Sequence, residues 1–304
     1  MLKGRTVVIG VTGSIAAYKM ADVVSSLVKM HADVHVIMTQ NACNFINPIT
    51  FETLTSNKCI VDTFDRNFEY DVKHISLAKK ADIFVIAPAS ANIIGKIANG
   101  IADDMLSTTI MAAECPRVIA PAMNTHMYNN KIVQDNIKKL KDYGYEFISP
   151  ASGRLACGDT GEGKLADVND IVKYISRSFS KKDLCGKQII VTAGPTREAI
   201  DPVRFITNHS TGKMGYAIAE RASARGADVV LISGPVSIAP PSGVRFINIE
   251  SAEDMFNEVK RFAEHADIVI KAAAVADYRP VNVSSEKIKK ENGMNCIELE
   301  RTKD

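Results

Sequence analysis

The segment Gly10-Val11-Thr12-Gly13-Ser14-Ile15-Ala16-Ala17-Tyr18-Lys19 joins two glycines to hydroxyl side chains and the start of a helical pattern, a set suited to holding an anion. Glycine lets the backbone come close to a ligand, a helix start turns free N–H groups and a positive dipole toward it, and the Ser14 hydroxyl adds a donor. Taken alone, the loop reads equally well as a plain glycine turn. It is not a GxGxxG fingerprint, and Met38-Thr39-Gln40 stands where a dinucleotide site would place an acid after its second strand. What remains is a mononucleotide.

Three further loops carry reactive or hydrogen-bonding groups. Pro88-Ala89-Ser90-Ala91-Asn92 follows an apolar run and leads on to Leu106-Ser107-Thr108-Thr109. Its small hydroxyl and amide groups suit a flat heterocycle and its polyol chain, while Ser90 and Asn92 by themselves also read as helix caps. Pro121-Ala122-Met123-Asn124-Thr125-His126-Met127-Tyr128 follows another apolar run. The stretch from Gly153 to Lys164 sets the thiol of Cys157 among four glycines, as in a mobile lid that carries a reactive group. A loop thiol reacts only in a suitable microenvironment, and His74, in Val72-Lys73-His74-Ile75, equally suits a surface or packing role.

The elements that must position these loops follow from periodicity. Thr6 to Ile9 is a β-branched run, and Met20, Val23, Val24, Leu27 and Val28 recur at helical spacing after the glycine turn. Asp33 to Met38, Ile83 to Ala87, Val118 to Ala120 and Phe147 to Ile148 supply further strands between helical stretches. The pattern restarts after the polar stretch Ser176 to Lys187. Gln188 to Thr192 reads as a strand, Ala193 to Gly212 as a long loop and Tyr216 to Arg225 as a helix. Ser251 with Asp254 forms a capping-box-like start for a helix presenting Met255, Phe256, Val259 and Phe262, and the strand Ile268 to Lys271 follows. The expectation is an α/β chain with two doubly wound, Rossmann-like parallel sheets in tandem, over residues 1–180 and 187–304, with a linker near residue 180.

Composition narrows the partners. At 304 residues the chain exceeds the usual ~100 to 200 residues of one domain. Apolar residues make up 46% and charged residues 24%, and the formal charge of +2 is spread along the sequence. That excludes a nucleic-acid groove or a polybasic membrane patch and points to small molecules. Cys43, Cys59, Cys115, Cys157, Cys185 and Cys296 form no CxxC pair, which argues against a disulfide framework or a zinc site. The short apolar run at the N-terminus is neither signal peptide nor membrane span, so the expected location is the cytoplasm.

Taken in order, Gly13-Ser14-Ile15-Ala16-Ala17-Tyr18-Lys19, His74, Pro88-Ala89-Ser90-Ala91-Asn92, Pro121-Ala122-Met123-Asn124 with Met127, and Leu155-Ala156-Cys157-Gly158 resemble the motifs of the flavin-dependent cysteine decarboxylase family. The resemblance spans residues 5 to about 178; Tyr128 stands where relatives often have Trp, and Lys164 where many have Arg. The second half resembles the phosphopantothenate-cysteine ligase family. The motifs are Thr192-Ala193-Gly194-Pro195-Thr196-Arg197-Glu198, Asp201 to Asn208, Ser210 to Gly215, Lys271 to Tyr278 and Lys287-Ile288-Lys289-Lys290. The two in this order are similar to the bifunctional family of coenzyme A biosynthesis. Relatives continue past the lysine motif with further strands, CTP contacts and much of a dimer interface, so the resemblance implies a truncated ligase half with little CTP-dependent ligation.

For the first half the resemblance implies FMN bound by Gly13, Ser14, Ile15, Thr39, Ser90, Asn92 and Ser107, with Met123 at the substrate, 4'-phosphopantothenoylcysteine. Oxidation of the thiol-bearing side chain to a thioaldehyde lets CO2 leave with its charge on sulfur; hydride return and a proton on carbon then give 4'-phosphopantetheine. His74 is implied as base, Asn124 as the group on the substrate carboxylate or amide, and Cys157 as the final acid. For the second half the resemblance implies an acyl-cytidylate made from 4'-phosphopantothenate and CTP and captured by cysteine. Arg204 and Asn208 would hold the acid, and Lys271, Ala272, Ala273, Asp277 and Lys287 the CTP, with Mg2+ at Asp277. A homo-oligomer, a trimer of flavin domains or a multiple of it, is implied as well. Of the alternatives, a flavin prenyltransferase has no use for Asn124 together with Cys157, retention of His74, Asn124 and Cys157 favours the enzyme over a flavin-bound regulatory protein, whose kind can lose the flap cysteine, and a nicotinamide dehydrogenase would need the missing glycine signature.

Overall fold

The structure, a computed structural model, describes residues 2–63, 73–154, 158, 160–289 and 296–303. The chain divides into two compact units, Met1–Phe179 and Ser180–Asp304. The first unit contains β1 (Thr6–Val11), α1 (Met20–Lys29), β2 (Asp33–Met38), α2 (Pro48–Thr55), α3 (Lys73–Lys80), β3 (Ile83–Ala89), α4 (Ala91–Ala98) and α5 (Met105–Ala112). It continues with β4 (Arg117–Pro121), α6 (Thr125–Tyr128), α7 (Lys131–Asp142), β5 (Glu146–Phe147), β6 (Ala151–Arg154), β7 (Thr160–Lys164) and α8 (Val168–Ser178).

Its main sheet runs β2-β1-β3-β4-β5 and is parallel throughout. Every residue of β1 and β3 is buried, as strands covered on both faces must be. Alternate side chains serve alternate faces. Val7, Ile9, Val11, Val85 and Ala87 pack with α1, α2 and α8, whereas Val8, Phe84 and Ile86 pack with α4, α5 and α7. The helical spacing at Met20, Val23, Val24 and Leu27 buries all four against the sheet, each contributing roughly 1.5–3 kcal/mol. From β1 the chain goes to β2 on one side and then to β3 on the other, which makes the β1/β3 boundary the switch point of the sheet.

The second unit contains β8 (Gln188–Ala193), β9 (Arg197–Ala199), β10 (Phe205–Thr207), α9 (Lys213–Ala224), β11 (Asp228–Ser233), β12 (Arg245–Asn248), α10 (Ala252–Ala263), β13 (Ile268–Lys271), β14 (Tyr278–Pro280) and β15 (Leu299–Arg301). Its sheet runs β12-β11-β8-β13, again parallel, with α9 on one face and α10 on the other. The capping box of Ser251 and Asp254 forms at the start of α10 as the sequence predicts. β13 lies at the edge of this sheet, with Ile268 and Val269 each 41% exposed.

The α/β class with two doubly wound parallel sheets in tandem is the one expected. Two loops need correction. The segment from Ala193 to Gly212 is not one long loop: β9 and β10 pair antiparallel inside it, with the buried Glu198 carboxylate accepting the Ala252 N–H at 2.9 Å. The glycine-rich segment around Cys157 is likewise a hairpin at its base, β6 pairing with β7. α9 also begins at Lys213 rather than Tyr216, directly after Gly212.

Candidate functional site

At the switch point the carboxyl ends of β1, β3 and β4 open into a cleft of about 500 Å3, in the range of small-molecule sites. Gly13, Ser14 and Ile15 line one wall, Ser90 and Ala91 another, and Met123 and Asn124 a third. Arg154 and Lys164, from opposite strands of the β6–β7 hairpin, cover them.

Each wall has a local cause. Gly13 is required by crowding, since a Cβ there would sit 2.7 Å from the Cβ of Asn41. Ser14 is extended and starts a 3-10 turn, accepting the Ala16 N–H on its hydroxyl at 3.3 Å. Asn124 starts α6, its Oδ1 accepting the His126 N–H at 2.8 Å, which fixes the amide plane at the cleft. β7 seats on the same turn: Met123 N–H donates to the Gly163 carbonyl at 2.9 Å, and Gly163 has φ 125 with no room for a side chain. Gly161 packs likewise on Thr125, where a Cβ would lie 2.8 Å from Cγ2.

The structure thus brings Gly13, Ser14, Ile15, Ser90, Met123 and Asn124 to one cleft. Four predicted residues lie outside its lining. His74 is half-buried in the first turn of α3, and Asn92 is exposed on α4. The Thr39 hydroxyl accepts the Ala42 N–H at 3.3 Å, and Ser107 is wholly buried in a capping box with Asp104. Cys157 lies outside the described residues. Ser90 serves the helix as well as the cleft, capping α4 through Ile93 N–H at 3.5 Å. Lys19, Arg154 and Lys164 were not singled out as site residues, although basic residues flanking a glycine-rich hairpin are a readable signal for an anion.

The donor set fits FMN. Among the described residues three cations line the cleft and no carboxylate does, beside the backbone and hydroxyl of the Gly13–Ser14 turn, so a phosphate and a polyol chain both find donors.

In the second unit the predicted residues fall into two hydrogen-bonded groups, one at the end of β8 and one around Asp201. Thr192 Oγ1 accepts the N–H groups of Ala272 and Ala273, both at 3.2 Å, and Asn208 Nδ2 donates to the Ala274 carbonyl at 2.8 Å. Arg204 donates to the buried Asp201 carboxylate from Nε at 3.0 Å and from Nη2 at 2.6 Å, and Nη2 also reaches the Ile288 carbonyl at 2.7 Å. Asp201 further accepts the Ile288 N–H at 3.1 Å. It therefore ties Arg204 to the segment carrying Lys287, and the guanidinium holds its carboxyl well below the usual carboxylate range. Lys271, Asp277 and Lys287 are exposed. Among the described residues no three metal-ligating side chains cluster, which leaves Asp277 as a single carboxylate, enough for Mg2+ when nucleotide phosphates supply the rest. Asp201 and Thr192 were missed as site residues because their part is to hold backbone. No helix among the described residues is long and apolar enough to cross a membrane.

A parallel sheet whose switch point opens into a cleft lined, among the described residues, by cations and by no acid is that of a mononucleotide-binding α/β protein. Residues 1–180 match the Flavoprotein family, and residues 184–304 match the DNA/pantothenate metabolism flavoprotein C-terminal domain. Over its whole length the chain is 51% identical to the coenzyme A biosynthesis bifunctional protein CoaBC of Bacillus subtilis, of which it covers 76%. Among solved structures it resembles the FMN-dependent cysteine decarboxylase SpaF, at 32% identity and TM-score 0.51, covering 59% of this chain and 99% of that one. It also resembles a cysteine-to-serine mutant of PPC decarboxylase complexed with pantothenoylaminoethenethiol, at 31% identity and TM-score 0.51, covering 57% of this chain and 96% of that one. The chain belongs to the bifunctional coenzyme A biosynthesis family, CoaBC.

Proposed function

We propose that the first unit binds FMN in the cleft and decarboxylates 4'-phosphopantothenoylcysteine to 4'-phosphopantetheine, and that the second is part of the domain that joins 4'-phosphopantothenate to cysteine with CTP, with little ligation by residues 184–304 alone. The observation that carries the reading is the cleft, where the glycine turn, the Ser90 loop and the Asn124 turn meet under a cationic hairpin.

Bound FMN supplies the acceptor, and later the donor, of a hydride. Gly13, Ser14 and Ile15 hold its phosphate, with Lys19 balancing the charge, and Ser90 faces its polar edge. Thr39, Asn92 and Ser107, outside the lining of this cleft, complete the proposed flavin-binding set. Asn124, held by its bond to His126, orients the substrate carboxylate or amide beside Met123. His74 is the base. Cys157 returns the proton to carbon, since a thiol with a reference pKa near 8.5 is mostly protonated at pH 7. The solved mutant captured with an enethiol supports this order, as an enethiol is the species left once CO2 has gone.

His74 lies outside the cleft lining of its own chain, and Ile15, Tyr18, Phe45 and Met127 present roughly half-exposed apolar side chains at the rim. Both facts support a homo-oligomer in which His74 of one copy serves the cleft of another, and a trimer of flavin domains, or a multiple of it, is the proposed form. In the second unit, Arg204 and Asn208 hold the acid substrate, and Lys271, Ala272, Ala273, Lys287 and Asp277 hold CTP with Mg2+ on Asp277. The cytoplasm, where thiols stay reduced, is the proposed location; Cys43, Cys59, Cys115, Cys185 and Cys296 are all unpaired.

The test is a visible spectrum of the purified chain, followed by CO2 release from 4'-phosphopantothenoylcysteine. The expected result is a bound-flavin spectrum with turnover, and a colourless protein that takes up no added FMN would sink the reading. Mixing inactive His74→Asn and Cys157→Ser chains after mild dissociation should restore part of the activity. Failure to do so, with each variant oligomeric, would place His74 and Cys157 in the same copy's site.

A further inference from the structure

β1 and β3 pair in register from Val7 with Ile83 to Gly10 with Ile86, and there the ladder stops. Beyond it the two chains diverge into the walls of the cleft, Gly13 and Ser14 from one, Ser90 and Ala91 from the other. Thr12 stands in the gap. It is the first residue after β1 and only 1% exposed, and it is absent from the cleft lining. Its hydroxyl donates to the Pro88 carbonyl at 2.6 Å and accepts the Ser90 N–H at 3.0 Å. One hydroxyl thus spends its proton on one residue of the facing strand and a lone pair on the residue that opens the facing wall.

We propose that Thr12 is a positioning residue for the flavin: its hydroxyl carries the β1–β3 pairing past the last backbone bond and so sets the spacing between the glycine wall and the Ser90 wall. The proposal rests on the flavin reading of the cleft. Thr12 acts through Gly13, Ser14 and Ser90, since it touches no ligand itself. Valine has the shape of threonine without the hydroxyl, so Thr12→Val keeps the packing, strips Ser90 N–H of a buried acceptor and lets the walls relax apart. FMN must then restore the spacing at the cost of its own affinity. Serine keeps the hydroxyl and drops only the methyl.

The experiment titrates apo wild type, Thr12→Val and Thr12→Ser with FMN by fluorescence quenching, with the thermal midpoint of each apo protein measured alongside. Thr12→Val should raise the FMN dissociation constant about tenfold and Thr12→Ser less than about twofold. Saturating FMN should return the turnover of Thr12→Val to within about twofold of wild type, because the substrate contacts are unchanged. Should the valine variant fail to fold, Thr12→Cys keeps the volume with a much weaker donor and should weaken FMN binding in the same direction. Wild-type affinity in the folded valine or cysteine variant overturns the proposal. So does a serine variant as weak as the valine one, which would make the methyl the important group. A wild-type chain that binds no FMN overturns both this inference and the flavin reading, whereas wild-type binding with an unaffected valine variant overturns this inference alone.

Discussion

After β1 the chain turns through Gly13 and leaves room beside Ser14; after β8 it turns through Gly194 and meets more backbone. A Cβ on Gly194 would lie 2.9 Å from the Gly234 carbonyl oxygen, one on Gly234 would lie 1.7 Å from the Pro195 oxygen, and one on Gly215 would lie 2.5 Å from the Ala193 Cβ. In the first unit a glycine brings one wall of an open cleft close to Asn41. In the second, glycines let the turn after β8, the end of β11 and the start of α9 press together, and the predicted ligand residues sit around that packed knot. The same strand, glycine turn and helix succession therefore serves two purposes. Glycine spacing alone does not tell which, because the difference lies in whether the glycine faces a cavity or another chain segment.

The sharpest way to break this comparison is to show that the open cleft is not a reaction chamber. Cys157→Ser should lower overall turnover by about 10²- to 10⁴-fold, since a hydroxyl is far too weak an acid to replace the thiol. Its flavin should bleach as a decarboxylated, oxidised product accumulates, while His74→Asn should keep bound flavin oxidised and release no CO2. Phosphopantetheine formed at the normal rate by the serine variant would make Cys157 an ordinary loop cysteine.

The packed knot is tested by Gly234→Ala. Its methyl meets the Pro195 backbone, which cannot swing away as a side chain could, so the second unit should lose at least about 3 kcal/mol. Limited proteolysis should then cut within residues 180–304 while the first unit, with its own core, keeps its flavin. Wild-type protease resistance would show that the turn after β8 has slack.

The smallest effect concerns where each unit ties down its charge. Asp201 does so within the predicted ligand region, whereas Asp33 does so at the amino end of β2, away from the cleft. Burial pushes Asp33 up, but the bonds from Lys80 and Asn57 and the nearby His35 outweigh it and bring the carboxyl from 3.8 down to about 2. A depressed folded value means that the stabilisation is present above pH 3.8 and is lost as pH falls through about 2. With 40% of its side chain exposed, screening leaves about 1 kcal/mol or less. Unfolding free energies of wild type and Asp33→Asn from urea titrations should differ by that amount at pH 7 and converge as pH falls from 4 toward 2. A difference independent of pH would mean that shape, not charge, holds the corner.

Long apolar strands were legible from their own residues. Asp33–Met38 begins and ends where the sequence reading places it, because burial on a sheet face demands a run of β-branched and aliphatic side chains, and Ile268–Lys271 does so on its β-branched run alone, since it is largely exposed. The hairpins were not legible. Thr160–Lys164 reads Thr-Gly-Glu-Gly-Lys, with neither alternation nor β propensity, and is a strand only because Ala151–Arg154 and the Asn124 turn lie beside it. The cleft was legible where backbone chemistry decides, at Gly13, Ser14 and Asn124. It was less so where side-chain direction decides: Asn92 and Ser107 belong to the right loops, yet one faces solvent and the other caps α5.

β13 ends the second sheet, and no strand among the described residues pairs with its outer side. Each outward N–H and C=O along such an edge is a template for another extended segment, and Ile268 and Val269 leave the exposed Lys271 as the strand's own charge against one. Handling this protein is therefore a matter of colloidal behaviour as much as of enzymology. At high concentration or on warming, the first clumps should grow edge to edge from β13, and a lysine placed at Val269 should delay them without touching the cleft of the first unit.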